Sequence, residues 1–408
     1  MKTTQLFILL FIALFSGCQY VNDKSSDFYD ISTDSLTILP EKDAYAETII
    51  VSDNVKDKVS ASEIIEDFYY LPLETTDESL FGYSTELAFY DNKIYVFDYF
   101  TTNRLTIFDK NGYFLKSLGN KGGAEFEFLL PVSFAIDKIK KQIVIYDNQK
   151  RKWMSFTPDG DYIQSRNVNF RMAGSFQILP NGEYVSSLHK GNKNVHLGKY
   201  ADYKLLYTDT VGRIVKAAYN FPESECTMVI DESLSWLNDE LLYYPLYHNK
   251  IYTVNDSVVN LRYKFDYSDF TPIDEYKLST FEKYEDFKEY LSSHTYMNSF
   301  TENNTHLCFL TYDKNGNRFI SFYDKRSKKI LSFSFLYFDT DFAFEYENGV
   351  YAYGDYFVAL LQPATLKALQ KHIETTTHYA AKPENKQLFA ELKDDDNMVL
   401  VFFKIKTL

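Results

Sequence analysis

Two aspartates occupy equivalent places in a stretch that the chain repeats, and their carboxylates are the first candidates for chemistry. Asp98 and Asp147 each end a short strand-like run of alternating apolar residues. A ring of such carboxylates could hold Ca²⁺, which takes oxygen ligands. An aspartate at a strand end can instead accept N–H bonds from the following turn. The next two repeats carry Ser186 or Ser187 and the pair Asn255-Asp256 near this place, an irregular ring that favours the turn-capping role.

The other residues that carry chemistry do not form a catalytic or metal-binding motif in the sequence. The seven histidines contain no HxH or HExxH pair, and no Cys/His spacing indicates a zinc site. A GxSxG elbow, a Walker loop and a Rossmann glycine triplet are also absent from the sequence. These patterns favour a non-catalytic protein and predict no metal site, with bound Ca²⁺ kept as the alternative.

Aromatic residues are abundant, at 18% of the chain with 35 Tyr and 35 Phe. Tyr faces can stack on sugars and present a polar tip. Tyr244, Tyr247 and the adjacent His248 are therefore candidate ligand-binding residues. They belong to a denser group of tyrosines, namely Tyr243, Tyr244, Tyr247, Tyr252, Tyr263 and Tyr267. Because side chains alternate across a strand, half of this group is expected to point into a core, so core packing is the competing interpretation.

The repeat predicts the elements that position these residues. Residues 94–112 read IYVFDYFTTNRLTIFDKNG and residues 143–160 read IVIYDNQKRKWMSFTPDG. Self-similarity at a period of about 48 residues, with several short strands per copy, is typical of a β-propeller. The sequence predicts an all-β, six-bladed propeller with four-stranded antiparallel blades over residues 47–408.

A closed ring must pair its two chain ends, because an open last blade would expose unpaired strand edges. We therefore expect Val399–Lys404 and Phe68–Leu73 to share a blade. The sixth repeat is expected to contain strands at Phe342–Tyr346, Val350–Tyr353 and Tyr356–Leu361. Two short helical insertions break the strand rhythm, with helices predicted over Ser279–Ser292 and Ala364–Thr375. Such insertions either form the binding face or cover a blade and seal the channel.

The first residues predict export. Lys2 precedes an apolar run from Leu6 to Phe15, which is too short to span a bilayer. Ser-Gly-Cys follows, similar to a bacterial lipoprotein signal, which would make Cys18 the lipidated first residue of the mature chain. An ordinary secretory signal is the alternative. The expected organisation is a signal peptide at 1–17, a flexible tether at 18–46 and the propeller at 47–408.

Two further cysteines, Cys226 and Cys308, would meet an oxidising compartment after export and could form a disulfide. Two buried free thiols are the competing interpretation, favoured for Cys308 by its apolar strand-like surroundings. The net charge of −14 repels nucleic-acid backbones, so nucleic acid is not an expected partner.

Several segments resemble the six-bladed, NHL-like propeller lipoproteins common in Bacteroidota. They are FYYLPLET at 68–75, the repeat at 94–112, GNKGGAEFEF at 119–128, NKIYTV at 249–254 and DDDNMVLVFFK at 394–404. The resemblance implies a Gram-negative cell-envelope lipoprotein, at the outer membrane and facing the periplasm or the surface. The family loop usually reads G-x-G-P-G-E-Y, and its last two places are similar to Glu125 and Phe126, which we take as candidate ligand-binding residues.

The sequence thus predicts a lipid-anchored envelope propeller that binds a protein partner or a saccharide and contacts the membrane through its anchor. A hydrolase or lyase with carboxylates in the central funnel is one alternative. A structural subunit of an envelope complex is the other.

Overall fold

The computed structural model describes residues 36–43, 46–82, 85–119, 122–172, 174–188, 194–220, 232–281, 283–346, 349–376 and 382–408. The chain is a six-bladed β-propeller. Its N-terminal strands are β1 (Thr37–Ile38), β2 (Glu41–Lys42), β3 (Glu47–Ile50), β4 (Lys56–Ser60) and β5 (Ile65–Pro72). The one-turn helix α1 (Ala61–Ile64) separates β4 from β5.

Blades 1 to 3 are formed by consecutive strands. Blade 1 contains β6 (Thr85–Tyr90), β7 (Lys93–Asp98), β8 (Arg104–Asp109) and β9 (Phe114–Leu118). Blade 2 contains β10 (Pro131–Asp137), β11 (Gln142–Asp147), β12 (Lys152–Phe156) and β13 (Tyr162–Asn167). Blade 3 contains β14 (Phe176–Ile178), β15 (Tyr184–Ser187), β16 (Tyr203–Thr208) and β17 (Ile214–Asn220), with a 3-10 segment at Val195–Asp202.

Blades 4 and 5 follow, separated by the first insertion. Blade 4 contains β18 (Glu232–Leu237), β19 (Glu240–Pro245), β20 (Lys250–Val254) and β21 (Val259–Asp266). The insertion holds a 3-10 segment at Glu275–Thr280 and helix α2 (Tyr284–Ser292). Blade 5 contains β22 (Tyr296–Glu302), β23 (His306–Tyr312), β24 (Arg318–Asp324) and β25 (Ile330–Tyr337).

Blade 6 closes the ring with strands from both chain ends, as predicted. It contains β26 (Val350–Tyr353), β27 (Tyr356–Leu361), β28 (Val399–Ile405) and β5, in that order. β28 pairs antiparallel with β5 from Val399↔Pro72 to Ile405↔Ile65. Between β27 and β28 lie helices α3 (Pro363–Thr376) and α4 (Pro383–Glu391). The predicted strand at Phe342–Tyr346 is wrong, because this segment is a loop whose Phe342 and Phe344 pack on Phe403.

The first strands of neighbouring blades contact one another, β10 with β14, β14 with β18 and β22 with β26, so they lie nearest the ring axis. Because strands alternate in direction, the turns between second and third strands and the passages between blades share one end of the ring. We call this end the loop face and the opposite end the turn face. On the turn face, Asn304 accepts from Asn238 and donates to Asp355, which joins the turns of blades 4, 5 and 6.

The predicted tether at 18–46 is too long at its C-terminal end. β1 pairs in parallel with β17, and β2 and β3 pair in parallel with β21. β4 continues the pattern on β25 of blade 5. The four short strands are held because each adds ladder hydrogen bonds to an outer blade edge. We call residues 37–60 the N-terminal belt.

Candidate functional site

Asp98 and its neighbours define the loop face of blade 1. Its carboxylate accepts N–H bonds from Gly82 at 2.7 Å, Phe100 at 3.1 Å, Thr101 at 2.8 Å and Thr102 at 2.9 Å. Gly82 lies on the passage from blade 6, and the other three lie on the turn between β7 and β8. Asp98 therefore ties two loops together, which is the turn-capping role expected from the sequence.

Asp147 repeats this arrangement in blade 2. Its carboxylate accepts from the N–H groups of Leu129 at 2.6 Å, Leu130 at 3.2 Å and Lys150 at 2.8 Å. In blade 3 the equivalent Ser187 donates its hydroxyl to the Ser175 carbonyl. Within the described part of the chain no three carboxylate, histidine or cysteine side chains are grouped as a metal site would require.

The loop between blades 1 and 2 is fixed from within. The Lys150 ammonium donates to the Ala124 carbonyl at 2.6 Å and to the Glu127 carbonyl at 2.5 Å. The Glu127 carboxylate in turn accepts from the Ala124 N–H at 2.8 Å. Charge-assisted hydrogen bonds of this kind are the stronger ones in proteins, so residues 122–128 are held in one conformation.

Glu125 and Phe126, two of the predicted ligand-binding residues, form the exposed part of this fixed loop. Phe126 is 55% exposed, whereas the neighbouring Phe128 is 1% exposed and packs on Phe156. Glu125 accepts from the Tyr162 hydroxyl at 2.9 Å. The loop thus uses one aromatic ring for the core and presents the other to solvent, together with an acidic group.

Other apolar side chains are exposed around the same two loops. Leu130 is 41% exposed, Phe100 is 40% exposed and Leu80 is 39% exposed. Asp98 accepts N–H bonds from Gly82, two residues after Leu80, and from Phe100, and Asp147 accepts the N–H bond of Leu130. Leu80, Phe100, Phe126 and Leu130 share exposure and a position on the loops that flank blade 1 or on its own turn, and we call this set the blade 1–2 apolar patch. The sequence analysis predicts the capping role of Asp98 and Asp147. It does not predict that exposed apolar side chains lie beside the segments that these two aspartates hold.

The prediction of a tyrosine platform in blade 4 is wrong for Tyr244, which is 5% exposed and donates its hydroxyl to the Met297 carbonyl at 2.6 Å. The Tyr263 hydroxyl likewise bonds Glu302, and that of Tyr267 bonds Thr311. Burial raises the pKa of Tyr252 to about 12. Five of the six tyrosines are buried, so the group is a core with satisfied hydroxyl groups and not a sugar-stacking surface.

Tyr247 and His248 lie on the loop face of blade 4, but they are held by the first insertion. The Tyr247 ring meets Phe287 at 5.8 Å and Tyr296 at 5.1 Å. His248 is 3% exposed, and its Nδ1 lies 3.5 Å from the Glu275 carboxylate. Tyr247 has a φ of 68°, an unusual value for a bulky residue, so the surrounding contacts impose this conformation.

Two basic side chains, His248 and Lys250, lie next to the Glu275 carboxylate. Lys250 lies 3.0 Å from its carboxylate. Burial alone would raise the pKa of Glu275, but His248 and Lys250 outweigh burial and lower the pKa. Glu275 therefore joins the insertion to blade 4 through its interactions with His248 and Lys250. Tyr247 and His248 are not brought together with Glu125 and Phe126, because the two sets lie on different blades.

The two insertions cover the loop face of the second half of the ring. Leu366, Leu369 and Phe389 of α3 and α4 are at most 4% exposed and join the core of blades 5 and 6. Ile273, Leu278, Phe287 and neighbouring aromatics form a small core over blades 4 and 5. The covering role is thus the one that the structure supports for both insertions.

Two open surface pockets lie at the edges of blades. One of about 340 Å³ borders β9 and is lined by residues including Arg104, Leu115 and Lys116. Another of about 200 Å³ borders α1 and β5.

Cys308 is a fully buried free thiol whose pKa is raised by burial, as the apolar interpretation expects. Cys226 and Cys18 lie outside the described residues.

The sequence matches the family DUF4934, a domain of unknown function, over residues 46–404, and the chain belongs to this family. Its structure is similar to that of a Bacteroides fragilis protein whose description suggests export, with 19% identity, a TM-score of 0.71 and coverage of 91% of this chain and all of that one. A DUF4221 member from Bacteroides vulgatus is similar at 10% identity and a TM-score of 0.53, over 84% and 98% of the two chains. These likenesses show the fold alone. No curated protein matches the chain. Among the described residues, no helix has the length and apolar character needed to cross a membrane.

Proposed function

We propose that this protein is a cell-envelope binding module that recognises a protein partner through the blade 1–2 apolar patch. The observation that carries the proposal is the loop at 122–128, which Lys150 and Glu127 fix while it exposes Phe126. A rigid loop that presents an aromatic side chain to water has no evident role in the fold. Aromatic anchors of this kind dominate binding energy at protein interfaces.

The partner chemistry follows from the patch. Leu80, Phe100, Phe126 and Leu130 offer apolar surface, with Glu125 as a polar group at its edge. Burying a Phe or Leu side chain contributes roughly 1.5–3 kcal/mol. A partner segment with apolar side chains fits this surface better than a saccharide, whose hydroxyls need several hydrogen-bonding groups. Because Asp98 and Asp147 fix the surrounding backbone, little loop entropy is lost on binding.

The anchor is the second part of the proposal. The apolar run and the Ser-Gly-Cys segment support lipidation at Cys18, which would keep the propeller at the outer membrane of a Gram-negative cell. Metabolic labelling with a palmitate analogue tests this directly. Label that disappears in Cys18→Ala supports the anchor, and equal label in both chains contradicts it.

The binding proposal is tested with three forms of the mature chain, each immobilised and exposed to envelope extract of the source organism. They are the wild type, Phe126→Ala with Leu130→Ala, and Tyr113→Ala as the matched control. Tyr113 is 62% exposed and directly precedes β9, the outer strand of blade 1, on the turn face. Any retained protein is then purified and its affinity for the three forms is measured.

We expect the double variant to lose about tenfold or more in affinity and the Tyr113 variant to bind as the wild type does. A wild type that retains no protein would contradict the proposal, as would a partner that binds the double variant equally well. A retained glycan in place of a protein would also contradict it.

A further inference from the structure

The face of blade 6 that is turned towards blade 1 carries several tyrosines. Because side chains alternate across a strand, Tyr69 of β5 lies on the face opposite to Tyr70, which enters the core shared with blade 5. The strand register places Tyr69 opposite Phe402 of β28. It also places Tyr353 of β26 opposite Tyr356 of β27. Three tyrosines of separate strands are thus brought to the same part of one blade.

The aromatic rings of these side chains form one continuous surface. Tyr69 stacks on Phe402, with ring centroids 4.7 Å apart and planes inclined by only 5°. Tyr356 meets Tyr69 edge-on at 5.5 Å, and Tyr353 lies 6.0 Å from Phe402. Phe89 of β6, in blade 1, lies 4.8 Å from Tyr353. We call Tyr69, Phe89, Tyr353, Tyr356 and Phe402 the blade 6 aromatic cluster.

Only part of this cluster is used for packing. Phe402 is 3% exposed and joins the core between blades 6 and 1. Tyr69 is 42% exposed and Tyr353 is 50% exposed, so two tyrosines that contact the same buried ring keep much of their own surface in solvent. This is the arrangement that the sequence predicts for blade 4, where the structure buries the tyrosines instead.

Hydrogen-bonding groups lie beside the aromatic rings. The Tyr356 hydroxyl donates to the Asp67 carboxylate at 2.8 Å, and Nζ of Lys404 lies 4.4 Å from the centre of the Tyr356 ring. Asp67 and Lys404 are opposite each other in the register of β5 and β28. Burial raises the pKa of Tyr69 to about 12, with a further contribution from the hydroxyls of Tyr356 and Tyr353. The Tyr69 hydroxyl therefore stays protonated at neutral pH and can donate a hydrogen bond.

We propose that the blade 6 aromatic cluster is a binding site for a neutral saccharide. The observation that carries the proposal is the combination, on one face, of exposed tyrosine rings with hydroxyl, carboxylate and ammonium groups. A tyrosine ring packs against the apolar face of a sugar, while its polar tip and groups such as Asp67 and Lys404 can bond the sugar hydroxyls. The blade 1–2 apolar patch has one such polar group at its edge, so the two surfaces suit different ligands.

The charges near the cluster favour a neutral ligand. The pKa of Tyr356 is raised by its hydrogen bond to Asp67, by burial and by the nearby carboxylates of Asp355 and Glu66. These three carboxylates would repel an anionic saccharide or a nucleic acid. A cationic ligand would meet the ammonium group of Lys404, which already lies over the Tyr356 ring. A neutral saccharide avoids both conflicts.

The test measures how far the mature chain carrying Cys18→Ser is retarded in native gels that each contain one neutral polysaccharide: dextran, pullulan, laminarin, mannan or xylan. Polygalacturonate is the anionic comparison. We expect retardation by at least one neutral polysaccharide, and a loss of about tenfold or more in affinity when Tyr69→Ala and Tyr353→Ala remove the exposed rings. Tyr284→Ala is the matched control, because Tyr284 of α2 is also 42% exposed, and it should bind as the wild type does.

A second pair, Tyr69→Phe with Tyr353→Phe, keeps the rings and removes two hydroxyls. It should lose about threefold in affinity, and it replaces the alanine pair if circular dichroism shows that the alanine pair does not fold.

A wild type that no neutral polysaccharide retards would overturn the proposal, as would equal affinity of the wild type and the folded tyrosine variants. Retardation by polygalacturonate alone would show recognition of charge, against the proposal. Phe126→Ala with Leu130→Ala should be retarded as the wild type is. Failure of this site and failure of the blade 1–2 apolar patch are therefore distinguishable.

Discussion

The loop faces of blades 1 and 2 differ from those of blades 5 and 6. In blades 1 and 2 an aspartate binds the backbone of short loops, and apolar side chains such as Phe126 are exposed. Over blades 5 and 6, the long insertion between β27 and β28 contains helices α3 and α4. The apolar side chains of these helices, such as Phe389, are buried. The same fold position is thus covered by packed helices in one half of the ring and leaves apolar side chains exposed in the other.

Removal of residues 399–408 is expected to have the largest effect on the second half. It deletes β28, which leaves β27 and β5 without their common neighbour and opens the ring. We expect cooperative loss of the folded state, measured by calorimetry and circular dichroism. Removal of residues 37–42, which deletes β1 and β2 of the belt only, is the control and should leave a folded ring. A truncated chain with unchanged melting temperature would contradict the closure.

A matched pair of phenylalanines measures the difference between the two halves directly. Phe389→Ala should lower the free energy of unfolding by about 3–5 kcal/mol, because the ring is 1% exposed in the cover of blades 5 and 6. Phe126→Ala should change it by at most about 0.5 kcal/mol, because the ring is in solvent. Denaturant titration measures both. Equal losses would show that Phe126 belongs to the core.

Asp98→Ala tests what holds the short loops. It leaves the N–H groups of Gly82, Phe100, Thr101 and Thr102 without their common acceptor. We expect a loss of roughly 1–3 kcal/mol in the free energy of unfolding. Asp109→Ala is the comparison, because Asp109 caps the exposed turn at Asn111 and Tyr113 and should cost less. A larger cost at Asp109 would contradict the loop-tying role.

A smaller, pH-dependent effect is expected at Asp324 of blade 5. Burial would raise its pKa, but the N–H groups of Ser327, Arg326 and Leu408 outweigh burial and lower the pKa to about 2. Because this value is below the unfolded value of about 3.9, the stabilisation is complete above about pH 4 and is lost as the pH falls through 2.

Asp324→Asn should therefore lower the melting temperature at pH 7 by a few degrees at most, and the difference from the wild type should shrink between pH 4 and pH 2. Thermal unfolding across this range measures it, with Asp313→Asn on an exposed turn as control. A constant difference at every pH would show that the charge of Asp324 is not involved.

The regular blades were predictable because their hairpin turns have recognisable sequences. Lys110-Asn111-Gly112 and Pro158-Asp159-Gly160 mark hairpins by the conformational freedom of Asn and Gly, and the strands of blades 1 and 2 were predicted on either side of them. The first strands of blades 4 and 5, β18 and β22, were not predicted, because no Asn-Gly or Asp-Gly pair precedes them in the sequence.

Long-range contacts could not be predicted from local patterns. The helix predicted over Ala364–Thr375 corresponds to α3, but α4 is not predicted, although it begins at Pro383, where the missing N–H is not needed. The belt strands are only two to five residues long and gain their ladder partners more than a hundred residues away. Strand alternation predicts that half of the blade 4 tyrosines point into a core, whereas five of the six are buried, because neighbouring elements cover both faces of the blade.

The central claim is that the blade 1–2 apolar patch contacts a partner while the turn face does not. Incorporation of a photo-crosslinking phenylalanine analogue at position 126 or at position 113, in living cells of the source organism, tests it most directly. We predict a discrete cross-linked product with a second protein from position 126 and none from position 113. The same products from both positions, or none from position 126, would contradict the account.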